Sequence, residues 1–383
     1  MTYDTAIIGG GLFGCHAALF LAAQGERVIL IDAANELITR ASIVNQARLH
    51  AGYHYPRSIA TARASDENIA RFRQEFADCI NDSFTHYYAI AKHGSLTDSR
   101  QFERFCDQLQ LPCERVKDHP AFNYEQLAAV YRTVEHSFDP LLLAAKYRER
   151  ITCGSTIDVR LNTRLDLNKT VRRETLGSQK QQFTFYLDTG EAVTSGRLIN
   201  ATYAAVNTIN RHFGTEELSL MHEIAEMAFV RSSDFADQAL TVMDGPFCSL
   251  MPWGKTGLLS LSSVAYTHQR VSYEQQPRFT CQEARSDCSP TATADCQGCA
   301  QAPRSNYPKM LAQLRRYLND CVELEYEHSR FTIKSKLQAN YIDDGRPTAV
   351  RQLSQNPDFY CVFAGKVNSI YSLEKLLPPG NLH

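Results

Sequence analysis

No stretch of this sequence reaches the roughly 18 consecutive apolar residues that a membrane-spanning helix requires. No block of lysine or arginine marks a nucleic-acid or anionic-membrane surface. Charge of either sign is nearly cancelled, with 40 Lys and Arg against 42 Asp and Glu, so no strong field gathers a highly charged partner. The first Lys or Arg is Arg27, and the apolar N-terminal residues therefore lack the basic flank of a secretory signal. No internal repeat is present, which argues against solenoids and propellers. These absences point to a cytoplasmic protein that acts on a small molecule, without nucleic acid and without a transmembrane segment. Cysteine, in contrast, is plentiful at twelve residues. Cys15, Cys79, Cys248 and Cys361 sit singly in apolar stretches and read as reduced, buried thiols. With 44% hydrophobic residues over 383 positions, the chain can fill the cores of two domains.

The most organised stretch is the first thirty-two residues. Thr5-Ala6-Ile7-Ile8 is apolar and β-prone, and it runs into Gly9-Gly10-Gly11-Leu12-Phe13-Gly14, a G-x-G-x-x-G. The spacing predicts a helix over 12–23, then a second strand over 27–31 that ends on Asp32. Each part has a task in a dinucleotide site. Gly9 permits the tight turn, Gly11 lets the backbone approach a pyrophosphate, and Gly14 lets the helix pack on the strand. Leu12 and Phe13 open the helix, whose free N–H groups and dipole favour phosphate. Asp32 would accept hydrogen bonds from the adenosine ribose.

Further along, the apolar stripe Ile59, Ala62, Ile69, Phe72, Phe76 and Ile80 predicts one helix from Ser58 to about 80. Strands are expected at 85–92, 128–135, 156–161, 182–187 and 193–201, and helices at 98–109 and 140–150. Residues 218–264 alternate as an antiparallel sheet would. Residues 274–306 are polar, with few large apolar side chains, and read as a long surface insertion. A helix at 307–319, strands near 323–336 and 359–364 and a closing helix at 369–377 complete the chain. A nucleotide-binding β-α-β comes first, β-rich blocks interrupt it, and strands like its own return at the end. The expected fold class is α/β, a Rossmann-like domain interleaved with a mainly antiparallel β-sheet domain. The nucleotide-binding part takes 1–82, 140–216 and 325–383, and the substrate part takes 83–139 and 217–324 with the insertion at 274–306. The ligand lies between them.

Four places carry a family resemblance: the N-terminal fingerprint; Arg40-Ala41-Ser42 through His50-Ala51-Gly52-Tyr53-His54-Tyr55-Pro56; Ile199-Asn200-Ala201-Thr202; and Asp344-Gly345-Arg346-Pro347-Thr348 with Phe363-Ala364-Gly365-Lys366-Val367-Asn368. Together they make the chain resemble the flavoproteins typified by D-amino-acid oxidase and glycine oxidase. The His50-x-Gly52-x-x-Tyr55 loop is similar to that of the L-2-hydroxyglutarate and glycerol-3-phosphate dehydrogenase branch, where such a segment passes the flavin ring. The resemblance implies FAD rather than NAD and a glutathione-reductase-type nucleotide domain. It implies that Arg40, Ala41 and Ser42 touch the phosphates or ribityl chain, and that Ala201 and Leu165 line the adenine side.

Flavin enzymes of this kind take a hydride from a carbon bearing an amine or hydroxyl. Three roles then need residues. Arg346 is the expected carboxylate anchor, because a guanidinium can hold a carboxylate bidentately; the alternative is a surface arginine paired with Asp343 or Asp344. His50 and His54 are candidate proton acceptors; alternatively His50 only hydrogen-bonds the flavin or a backbone carbonyl. The turn Gly365-Lys366-Val367-Asn368 could stabilise the reduced flavin, or Lys366 is an ordinary exposed lysine at a helix start. Tyr53, Tyr266 and Trp253 are possible pocket walls, although isolated aromatics more often belong to the core. Cys281, Cys288, Cys296 and Cys299 fall in C-x6-C-x7-C-x2-C. Only the last pair has zinc-knuckle spacing, so no metal is expected and a disordered or redox-variable insertion is favoured. The expected enzyme is an FAD-dependent oxidoreductase for a 2-hydroxy acid or an amino acid, reoxidised by oxygen or a quinone. An amine or amino-acid oxidase specifically, or a flavin-bearing redox partner without turnover, are the other readings.

Overall fold

The computed structural model describes residues 1–66, 68–153, 156–176, 180–338 and 349–377. Its first sheet has eight strands, with Thr2–Ile8 in the parallel centre. Val28–Ile31 and then Ile157–Arg160 lie on one side of it, and Ala192–Asn200 lies on the other. The second half of Ala192–Asn200 carries Asp358–Phe363 in parallel, while its first half pairs antiparallel with Lys180–Tyr186. Both faces of the central strands are covered. Ile7, Val28, Leu30 and Ile199 join one core cluster, whereas Ala6, Ile8, Ile29, Ile31 and Leu198 join another. Such strands read as continuous apolar runs. The chain leaves Thr2–Ile8 toward one neighbour and returns on the opposite side, so the strand order reverses at Gly9. That reversal opens a crevice at the carboxyl ends of the strands, the usual place for a ligand.

The second sheet has nine strands. Leu220–Arg231, buried along all but its last residue, pairs through its whole length with Glu325–Leu337. Its other edge takes Leu259–Ser263 and His268–Ser272. Cys248–Pro252, Gln238–Met243, Thr85–Ala91, Leu127–Thr133 and Cys113–Val116 extend the sheet. Gln238–Met243 runs parallel to Thr85–Ala91, a break in the otherwise antiparallel pattern. Glu325–Leu337, grouped by sequence with the nucleotide-binding part, belongs to this sheet. A small third sheet of Arg48–Leu49, His136–Phe138 and Ile80–Asn81 fixes the chain just before His50.

Three expectations need correction. The helix expected over 58–80 is two, Ile59–Asp66 and Ile69–Glu75, because Asn68 takes a left-handed conformation (φ 66°) that an asparagine tolerates. The closing helix expected at 369–377 is a 3-10 segment, Val367–Ser372, followed by turns. The polar insertion is folded onto the body rather than disordered. It buries Phe279, and Gln275 O accepts from Asn207 Nδ2 at 2.9 Å. Among the described residues no helix is long and apolar enough to cross a membrane.

Candidate active site

One cavity of about 970 Å³ runs between the two large sheets. At one end the fingerprint builds its floor. Gly9 has φ 104°, and a Cβ there would stand 2.6 Å from Ala201 O, so only glycine fits the turn. A Cβ on Gly14 would collide with Gly9 O, which is what brings the helix Leu12–Ala22 onto the first strand. A Cβ on Gly11 would meet only Ser42 Oγ, at 3.3 Å, and otherwise project into the cavity. That leaves open space beside a helix start, a place whose free N–H groups suit a phosphate. Ser42 Oγ already accepts from Leu12 N at 3.2 Å, tying the 40–42 turn to the helix. The Asp32 carboxylate accepts from Gly10 N and Ala34 N, which aims it at the cavity and leaves further lone pairs for hydroxyls.

Gly9, Gly11, Leu12, Phe13, Asp32, Arg40, Ala41, Ser42, His50, Leu165, Ala201, Gly365, Lys366 and Val367 all line this cavity, as does His54. Gly14, Gly52 and Asn368 are not among its lining residues. Gly52, at φ 105°, lets the loop approach Ala62 O, and Asn368 is buried. Arg346 lies outside the described residues. Tyr53 and Trp253 are core residues at 1% exposure, not pocket walls, and Tyr266 is likewise absent from the lining.

The other end is built around His50. Its ring is half-buried, 5.7 Å from the rings of both His54 and Tyr55, while His54 sits exposed at the mouth. The ammonium of Lys366 lies 4.5 Å from the centre of the Tyr55 ring, and the residue is buried. Behind this group is an ionic network that sequence reasoning missed. Arg48 donates to Tyr88 (2.7 Å), Glu135 (3.2 Å), Thr241 (2.8 Å) and Ser249 (2.6 Å). Glu135 accepts in addition from Ala51 N at 2.9 Å and Tyr88 OH at 2.6 Å, and its Oε1 lies 3.9 Å from His50 Nδ1. Burial pushes the Glu135 carboxyl up, against the pull of Arg48 and its hydrogen bonds. The pair therefore holds the segment before and after His50 by buried charge.

Sequence reasoning also missed Glu223, His268 and Lys336 on the cavity wall. Glu223 Oε2 is 2.8 Å from both His268 Nδ1 and Lys336 Nζ. Burial alone would raise the Glu223 carboxyl, but these two partners override it and hold it down at about 2. A signal existed here, since Glu223 and Glu226 stand in a largely apolar strand, and charges in such a place are paired. Arg164 lines the cavity beside Leu165, and burial, with Arg40 nearby, lowers its pKa.

The open space at Gly11, the acid at Asp32 and a cavity long enough to continue to His50 suit an extended dinucleotide. A family model described as FAD dependent oxidoreductase (DAO) matches residues 4–330. The chain belongs to this family of FAD-dependent oxidoreductases. Its cofactor is FAD. It is 25% identical over 375 residues to the FAD-dependent monooxygenase FPY4 of Fusarium mangiferae, covering 96% of this chain and 88% of that protein. Solved structures share the fold, two of them as follows. One is the open form of NikD, described as an unusual amino acid oxidase essential for nikkomycin biosynthesis (TM-score 0.71, 14% identity, 96% of this chain and 92% of that one). The other is glycine oxidase from Geobacillus kaustophilus (TM-score 0.64, 13% identity, 96% and 90%).

Proposed function

We propose that this FAD-dependent oxidoreductase removes a hydride from the α-carbon of a small carboxylate-bearing substrate, a 2-hydroxy acid or an amino acid. The observation that carries the reading is the continuity of one cavity from Asp32 and Gly11 to His50, His54 and Lys366. FAD, when bound, supplies the hydride acceptor at N5. The protein's own residues then bind the substrate, orient it and move one proton. His50 accepts the proton of the substrate hydroxyl or amine. Glu135, beside its Nδ1, favours an imidazole that keeps Nε2 available as acceptor. His54, at the mouth, is the alternate acceptor. Lys366 sets positive charge beside the ring end, where it is worth more for being buried. Arg346, in the family's Arg-Pro context, is the carboxylate anchor. The unit around the first sheet holds the nucleotide and the unit around the second covers the substrate. Oxygen or a quinone takes the electrons afterwards.

A hydroxy substrate is the favoured member of the class, because alcohol oxidation gains more from a base than oxidation of a neutral amine does. Anaerobic mixing of the holoenzyme with a panel of 2-hydroxy acids and amino acids tests this: the hydroxy acids should bleach the flavin and the amino acids should not. Bleaching by amino acids alone would make it an amino-acid oxidase. No bleaching by any member would reject the reading, and a flavin-bearing redox partner is then favoured if the insertion cysteines change state with redox potential. The likeness to FPY4 over 96% of the chain supports a second reading, transfer of one oxygen atom to the substrate. Product mass under isotopically labelled oxygen distinguishes the two, since only monooxygenation retains the label.

A further inference from the structure

The polar insertion supplies part of the cofactor cavity. Six consecutive residues, Thr291, Ala292, Thr293, Ala294, Asp295 and Cys296, line it, at the end that also holds Asp32, Arg164 and Leu165. In a dinucleotide site the acid that follows the second strand marks the adenosine end. The insertion is pinned on both sides of this stretch. Before it, Gln275 O accepts from Asn207 Nδ2 at 2.9 Å and Gln276 Nε2 donates to Thr208 Oγ1 at 3.3 Å. After it, Asn306 N donates to the buried Glu226 at 2.7 Å. Its middle touches the body through Arg164, whose Nη2 donates to Thr293 O at 3.4 Å, and Thr293 is itself buried. The local shape is set from within. Ser289 and Ala292 exchange backbone hydrogen bonds at 3.2 Å, and Ala294 N donates to the Cys288 thiol sulfur at 3.3 Å. The side chains at 292–294 are small, so the backbone itself can approach a flat base closely.

We propose that residues 291–296 are a strap over the adenosine half of bound FAD, and that this strap, held in shape by the Cys288 sulfur, governs how firmly the cofactor is retained. Cys288 then has a structural use within the strap. Among the described residues no group of three His, Cys, Asp or Glu is placed to hold an ion. Cofactor departure requires the strap to lift, so its hydrogen bonds enter the dissociation rate rather than the chemistry at the flavin ring. The inference rests on the FAD site alone and is independent of which substrate is oxidised.

Two measurements test it, neither of them reading turnover. Cys288→Val removes the acceptor at nearly constant volume. Diluted holoenzyme of this variant, followed by the rise of free-flavin fluorescence, should release FAD about tenfold faster than wild type, the equivalent of losing one hydrogen bond of about 1.4 kcal/mol. In the unmodified protein, iodoacetamide labelling of Cys296, read by peptide mass, should be slower in the holoenzyme than in the apoprotein. Labelling of the exposed Cys321 should be the same in both. Release at the wild-type rate from folded Cys288→Val overturns the strap, and so does labelling of Cys296 at equal rates with and without FAD. If the variant does not fold, the labelling comparison decides alone.

Discussion

Replacing Glu135 with alanine leaves the Arg48 guanidinium facing no carboxylate in the protein interior. The side chains of the pair are 2% and 0% exposed, so neither water nor salt screens them. Breaking a buried pair from one side costs about 3–5 kcal/mol, because the remaining charge is left uncompensated. Arg48 retains Tyr88, Thr241 and Ser249 as acceptors, which favours the lower end of that range. Ala51 N and Tyr88 OH also lose their acceptor, each worth about 1 kcal/mol, which brings the cost back to the upper end, about 5 kcal/mol. Urea unfolding of the apoprotein measures this directly. Trp253, the single tryptophan, is buried and donates to Asn45 O at 3.1 Å, so its fluorescence reports on the same region. The double variant Arg48→Met with Glu135→Ala should recover part of the loss, since no charge is then stranded. A Glu135→Ala cost below about 1 kcal/mol, or a double variant as unstable as the sum of the singles, would refute the reasoning.

Gly11→Val places a branched side chain in the open space beside Ser42 Oγ, and the protein should purify colourless; full flavin content contradicts the assignment. Glu223 gives a pH prediction of definite sign. Its carboxyl is held at about 2 against an ordinary 4.5, so its stabilisation is complete above pH 4.5 and is lost as the pH falls from there toward 2. Glu223→Gln should flatten the acid limb of the stability profile in that window, and an unchanged limb would show that the His268 and Lys336 pairing contributes nothing. Arg346→Leu should keep FAD while raising the substrate KM by about 2–4 kcal/mol of lost binding; an unchanged KM removes Arg346 from the site.

The nucleotide end was legible because its information is local. Strand, glycines, helix and Asp32 lie within thirty-two residues, and the geometry shows the tight turn at Gly9 and the close helix packing at Gly14. The His50 loop was legible as a motif, but its support was not: Arg48 and Glu135 are 87 positions apart and meet only through the third sheet and the strand ends. The break at Asn68 carried no proline or glycine to announce it. The insertion misled for a different reason. Its composition lacks large apolar residues, yet its order comes from side chain–backbone hydrogen bonds to Asn207, Arg164 and Glu226, which composition does not count.

The most direct test of hydride removal from the α-carbon is the rate of flavin bleaching when the anaerobic holoenzyme is mixed with a bleaching substrate carrying either hydrogen or deuterium at that carbon. The proposed chemistry predicts slower bleaching with the deuterated substrate and the same reduced-flavin spectrum at the end of both reactions. Equal rates under conditions where the bleaching step itself is observed would contradict it.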